Sequence, residues 1–159
     1  TGGFTDCLLS RGAAQVTAVD SGHGQLSARL AADSRVRSLE GMNARYLSAA
    51  EVGTGYDIAV MDVSFISQTL ILPVIPALLR DGGELVSLIK PQFEVGRADV
   101  GKGGIVRSAA ARERAVTAVR TAADAVGLKC CGVITSPIQG GDGNTEYLAH
   151  FRRAATTGK

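Results

Sequence analysis

The sequence predicts an α/β fold built on a mostly parallel sheet with helices on both faces. Three observations carry that expectation. Apolar stretches of strand length alternate with stretches of helical composition along nearly the whole chain, which is the pattern of βαβ units. The segment YDIAVMDV (56–63) is almost continuously apolar, as strands covered on both faces are. Glycine supplies 20 of 159 residues, nearly double the usual ~7%. With 45% hydrophobic residues, that excess fits tight strand–helix turns better than a flexible linker.

Taken in order, residues 4–11 read as a short helix stopped by Gly12. Residues 15–20 (QVTAVD) are a short strand ending in an acid. Residues 24–32 have helical composition, 36–39 fit a short strand and 43–50 a weak helix. After the 56–63 strand, residues 67–79 read as a helix kinked at Pro73. Asp81-Gly82-Gly83 is a turn, and 84–90 (ELVSLIK) the next strand. Residues 91–104 form a polar loop of the length that is often functional. The longest helix is expected over 108–126, closed by Gly127. Strands follow at 128–135 and 145–151, joined by the turn cluster QGGDGN (139–144). A join that short makes the last two strands antiparallel, because a parallel return needs a longer crossover.

Composition removes several function classes. A chain of 159 residues can close one core. The net charge of +2 is too small to announce a nucleic-acid surface by itself. Three cysteines without CxxC spacing, and two distant histidines, give no zinc pattern and fit a reducing, cytosolic compartment. The longest apolar run, 70–79, is about half a membrane span and holds two prolines. There is no charged start followed by an apolar secretory region. The chain starts Thr1-Gly2-Gly3-Phe4, without Met and as if inside a motif, so a truncation on its N-terminal side is expected.

In open α/β sheets ligands bind at the carboxyl ends of strands. The polar residues gathered there are Asp20, Asp62, Ser64, Lys90, Gln92 and Glu94, with Asn144 and Glu146 at the mouth of the last strand. Gly2 and Gly3 before a helix, with Asp20 ending the next strand, form half of a nucleoside-cofactor fingerprint. The plain alternative is a pair of turn glycines and a strand-end acid. Asp62, among apolar neighbours, is costly there unless paired or functional; the alternative is a helix N-cap. Lys90 ends an apolar strand, where lysine can act as a base or hold an oxygen, or simply reach for solvent. Glu146 would complete a carboxylate–lysine cluster, or face water on an edge strand. Arg97, Lys102 and Arg107 around the long loop are either solvated or set to meet phosphates. Cys130 and Cys131 read as strand packing, and His23 as a loop residue.

Six blocks in sequence order, TGGFTDCLLSRGA, VDSGHGQL, MDVSFIS, LIKPQFEVGR, GKGGIVR and SPIQGGDGNTEYL, closely resemble the TlyA-type (haemolysin A/FtsJ-like) methyltransferase family over nearly the whole chain. The resemblance implies the Rossmann-like S-adenosylmethionine-dependent methyltransferase fold, a seven-stranded sheet whose last strand is antiparallel. It implies 2′-O-methylation of ribosomal RNA, typically at cytidine, with ribosomal RNA or ribosomal subunits as partner. It implies a Lys-Asp-Lys-Glu catalytic set, in which Asp62, Lys90 and Glu146 match the last three members. Gly2, Gly3 and Phe4 match the end of the cofactor loop, Asp20 the ribose-binding acid, and Asn43 the region that contacts adenine. Asp62 also counts among the cofactor contacts.

The first catalytic lysine, the first strand and an S4-like RNA-binding domain lie upstream in that family. Residues 1–159 are therefore expected to be a partial methyltransferase domain, inactive and poorly stable alone, because the missing strand would be central. In the complete enzyme Lys90 would hold or deprotonate the ribose hydroxyl, with Asp62 and Glu146 positioning it. Neighbouring carboxylates favour a charged lysine whereas a base must be neutral, so an orienting role stands beside the general-base role. Other readings are a catalytically dead RNA-binding protein, a nicotinamide-dependent dehydrogenase and a pore-forming haemolysin. The last is opposed by the lack of a span-length apolar segment. Oligomeric state is not legible.

Overall fold

The structure is a computed structural model, and it describes residues 2–140 and 143–155. The chain divides into two compact units, the first ending at Val52 and the second beginning at Gly53.

In the first unit, helix α1 (Gly3–Ser10) starts behind Gly2, whose φ is 90°. Strand β1 (Val16–Val19) pairs in parallel with β2 (Val36–Leu39), Val16 opposite Val36 and Val19 opposite Leu39. Helix α2 (Ala28–Ala31) lies between them in sequence, capped by the Ser27 side chain on the Leu30 amide. Only this single turn of the 24–32 segment is helical, because Ser21, Gly22, Gly24 and Ser27 precede it. The weak helix expected over 43–50 becomes a 3-10 turn at Ala44–Tyr46 and a short helix α3 (Ala49–Val52). Leu9, Val16 and Leu30 form the core, flanked by Leu8, Ala13, Leu26 and Val36.

The second unit holds a four-stranded sheet in the order β3 (Tyr56–Met61), β4 (Leu79–Ile89), β6 (Tyr147–Arg153), β5 (Leu128–Thr135). β3 and β4 are parallel. β6 runs antiparallel to both β4 and β5, as the short 135–147 connection requires. Glu84 lies opposite Arg152 in the register and accepts hydrogen bonds from it and from His150, both at 3.1 Å. Those bonds hold its carboxyl below the ordinary range.

Helix α5 (Ala109–Ala125) covers this sheet. Its buried residues Ala111, Ala115, Val119 and Ala123 recur every four positions and make one narrow stripe. Phe151, Leu85, Ile89 and Leu128 are fully buried.

Three expectations are corrected. Residues 67–79 do not form one kinked helix. They split into 3-10 turns at Gln68–Leu70 and Leu72–Val74 and a single turn α4 (Ile75–Leu78). Pro73 and Pro76 each sit in the first positions of a new turn, where their missing N–H is harmless, and neither can continue the turn before it. Asp81-Gly82-Gly83 lies within the span of β4 as an irregularity, since Tyr56 is opposite Leu79 but Ile58 is opposite Glu84. Cys131 is exposed rather than packed, because the β5–β6 register shifts between Cys130 and Gly132.

Candidate active site

The carboxyl ends of β3 and β4 place Asp62 and Lys90 together. Lys90 Nζ lies 2.7 Å from Asp62 Oδ1 and donates to Ser64 Oγ at 3.1 Å. The Lys90 side chain is only 15% exposed whereas that of Asp62 is 44% exposed, so the pair opens on its carboxylate side. An ammonium has three protons, and among the described residues two of them meet these partners.

Glu146 comes to the same end from β6. Ile89 pairs with Tyr147 at the end of the β4–β6 ladder, so Lys90 and Glu146 each lie one residue past that last pair. Glu146 is buried, and Gln92, just past Lys90, donates to its Oε2 at 2.9 Å. Gly140 passes close by: a Cβ placed on it would fall 2.2 Å from Glu146 Oε2. Asn144, also buried, accepts from the Val106 amide at 3.0 Å and donates to the Gly104 carbonyl at 2.9 Å. It thereby ties the long loop to the mouth of β6. That loop is built from 3-10 turns at Pro91–Phe93, Arg97–Asp99 and Lys102–Gly104. Arg107 folds back onto the Lys102 carbonyl at 3.2 Å, Arg114 pairs with Asp99 at 3.4 Å, and Arg97 and Lys102 are exposed.

The cofactor candidates lie in the first unit. Asp20 follows β1, is exposed, and accepts from the Gly22 amide at 2.8 Å through Oδ1. Among the described residues its second oxygen has no hydrogen-bond partner, so the carboxylate is open to accept from the paired hydroxyls of a ribose. Gly2 serves packing as well: a Cβ there would fall 2.5 Å from Leu26 Cδ1 and 2.7 Å from Leu30 Cδ1. Gly3 is exposed with open space where a Cβ would sit, and Phe4 is half-buried in α1. Asn43 caps its own turn by accepting from the Arg45 amide at 3.1 Å. His23 pairs with Glu40 at 3.2 Å on the surface.

Two features escape the sequence. Phe65, between Ser64 and Ile66, has φ of 63° and is 90% exposed, with its ring 4.9 Å from that of Phe93. Nothing in its apolar flank signals exposure. The second is a buried polar group beneath the site, in which Gln68 donates to the Leu88 carbonyl at 2.7 Å and accepts from Ser87 Oγ. The only hint is a serine inside the apolar run ELVSLI. Among the described residues no group of histidine, cysteine or carboxylates could hold a metal ion, and no helix is long and apolar enough to cross a membrane.

Comparison with known proteins places this geometry. The family model described as FtsJ-like methyltransferase matches residues 1–153. The chain is 45% identical to the 16S/23S rRNA (cytidine-2′-O)-methyltransferase TlyA of Mycobacterium tuberculosis, over 96% of this chain and 57% of that protein. It is 46% identical to hemolysin A of Brachyspira hyodysenteriae, over 95% of this chain and 63% of that protein. A solved structure from Streptococcus thermophilus, 46% identical, superposes with a TM-score of 0.92 over 97% of this chain and 56% of that one. The N-methyltransferase NodS of Bradyrhizobium japonicum in complex with S-adenosyl-L-homocysteine, at 18% identity, shares the fold with a TM-score of 0.65 over 96% of this chain and 72% of that one. The chain spans little more than half the length of the curated relatives it matches. With the Rossmann-like architecture and the Asp62–Lys90 pair at the strand ends, these matches show that the chain belongs to the FtsJ-like methyltransferase family.

Proposed function

We propose that the full-length protein transfers a methyl group from S-adenosylmethionine to a ribose 2′-hydroxyl of ribosomal RNA, at cytidine. The observation that carries this reading is Lys90, held by Asp62 and Ser64 at the strand ends, one residue past the Ile89–Tyr147 pair. The name of the M. tuberculosis relative supports the acceptor.

The cofactor supplies an already activated methyl on a sulfonium. What remains for the protein is alignment and the handling of one proton. Asp20 holds ribose hydroxyls of the cofactor, and the exposed backbone at Gly3 admits close approach. Lys90 directs its remaining N–H at the acceptor oxygen, fixing it and stabilising negative charge as it develops. Asp62 and Ser64 fix the ammonium in place. Glu146, fixed by Gln92, adds a second carboxylate where the hydroxyl proton must go. Phe65 offers an open aromatic face for an unstacked base.

The test is to incubate the full-length protein with isotopically labelled S-adenosylmethionine and unmodified ribosomal subunits, then digest the RNA for mass spectrometry. A 2′-O-methylcytidine carrying label is the expected product. Label on a base, or none in RNA while the cofactor binds, overturns the reading.

A further inference from the structure

The loop that carries Asp62 and Ser64 is tied at both ends. It leaves β3 at Met61, which is paired with Ser87 of β4. Its far end is Ser67-Gln68. There the Glu94 carboxylate accepts from Ser67 Oγ at 2.6 Å and from the Gln68 amide at 2.8 Å. The Gln68 side chain, 1% exposed, is bound in turn to Ser87 and Leu88, the residues just before Lys90. Glu94 lies one turn beyond Lys90, in a segment whose Phe93 amide donates to the Lys90 carbonyl at 2.9 Å. Both ends of the Asp62 loop are therefore fastened to the backbone on either side of Lys90.

A helix cap does not account for Glu94. Ser67 already caps its own turn through the Thr69 amide at 3.2 Å. Glu94 reaches Gln68 from 26 residues downstream, so its separate effect is to join two segments. Between the ties sits Phe65 at φ 63°, a left-handed backbone costing on the order of 1 kcal/mol for a side chain of this kind. Such a conformation lasts only where the surroundings fix it, and relaxing it would swing Ser64 and Asp62.

We propose that Glu94 is a positioning residue for the reaction, clamping the loop so that Asp62 and Ser64 stay on the Lys90 ammonium. This rests on the reading that Lys90 orients the acceptor hydroxyl. Glu94 itself touches no reacting atom and acts through Ser67 and Gln68.

The test compares unsubstituted full-length protein with Glu94→Ala and Glu94→Gln in steady-state methyl transfer to ribosomal subunits. Glu94→Ala is expected to lower kcat by about tenfold or more, in line with the ~100-fold cost of a ~1 Å misplacement, while KM for RNA and for cofactor changes little. Glu94→Gln keeps an acceptor for the Gln68 amide and can donate to Ser67 Oγ, so it restores most of kcat. Ser67→Ala, which removes one tie, gives a smaller loss in the same direction and replaces Glu94→Ala if that variant does not fold. An unchanged kcat, a loss confined to KM, or no rescue by glutamine overturns the proposal. A second readout needs no turnover: the rate of reductive methylation of Lys90 relative to the exposed Lys102, read by peptide mass. Glu94→Ala should raise that ratio several-fold, and an unchanged ratio overturns the clamp. If unsubstituted protein methylates no RNA, the transfer reading falls and the labelling ratio alone decides the clamp.

Discussion

At Phe65 a ring that is 90% exposed stands on a left-handed backbone beside Ser64, itself bonded to Lys90. Stacking of a base on an aromatic ring contributes ~1–3 kcal/mol. Phe65→Ala is therefore expected to raise KM for RNA by about fivefold or more. Folding stability should stay within ~0.5 kcal/mol, because the ring buries little area. Steady-state kinetics and a denaturant melt on the same preparation check both. Gly140 is the opposite case, a residue needed for what it lacks. Its Cβ would fall 2.2 Å from the Glu146 carboxylate, so Gly140→Ala must displace Glu146 from Gln92. The expected result is a large loss of kcat with cofactor affinity unchanged, measured by turnover beside equilibrium dialysis.

Among elements, β4 and the segments beyond it decide the geometry. Burial raises the Glu94 pKa above its ordinary 4.5, against the opposing bonds from Ser67 and Gln68. A raised folded-state pKa gives stability that is fully present below pH ~4.5 and is lost as pH rises through the folded value. Wild type should therefore lose stability relative to Glu94→Gln as pH rises from about 4.5, and the gap should level off once Glu94 is ionised. Urea melts across pH 4 to 8 measure that gap, and one that narrows with rising pH would refute the assignment. Phe151, fully buried in β6, should cost ~3–5 kcal/mol when cut to alanine.

The strands and the long helix were legible in the sequence because their cues are local. Apolar runs gave 56–63, 84–90 and 128–135, and Gly127 marked the end of α5. The segment 67–79 was not legible as it stands. Its two prolines are compatible with one kinked helix or with three separate turns, and packing of Leu72 and Ile75 into the core decides between them. Within the site, Asp62 and Lys90 could be read because charge at the end of an apolar strand is anomalous. The Glu94–Ser67–Gln68–Ser87 bonds could not. Polar residues 19 to 27 positions apart give no pattern until the chain is folded.

At the scale of the whole molecule, the two units are built unequally. The first has a two-stranded sheet over a core of Leu9, Val16 and Leu30. A pair of strands is marginal by itself. The second has four paired strands beneath a 17-residue helix. Amide hydrogen exchange on residues 1–159 should accordingly show faster exchange in β1 and β2 than in β4 and β6. Equal protection would mean that the small core is better supported than its composition suggests.

On the proposed reading Lys90, set by Asp62 and Ser64, manages the acceptor hydroxyl. The most direct measurement is methyl transfer from labelled S-adenosylmethionine to ribosomal RNA by full-length Lys90→Ala protein, with cofactor binding measured on the same sample. Transfer is expected to be abolished while the cofactor still binds. Near-normal turnover by Lys90→Ala would contradict it.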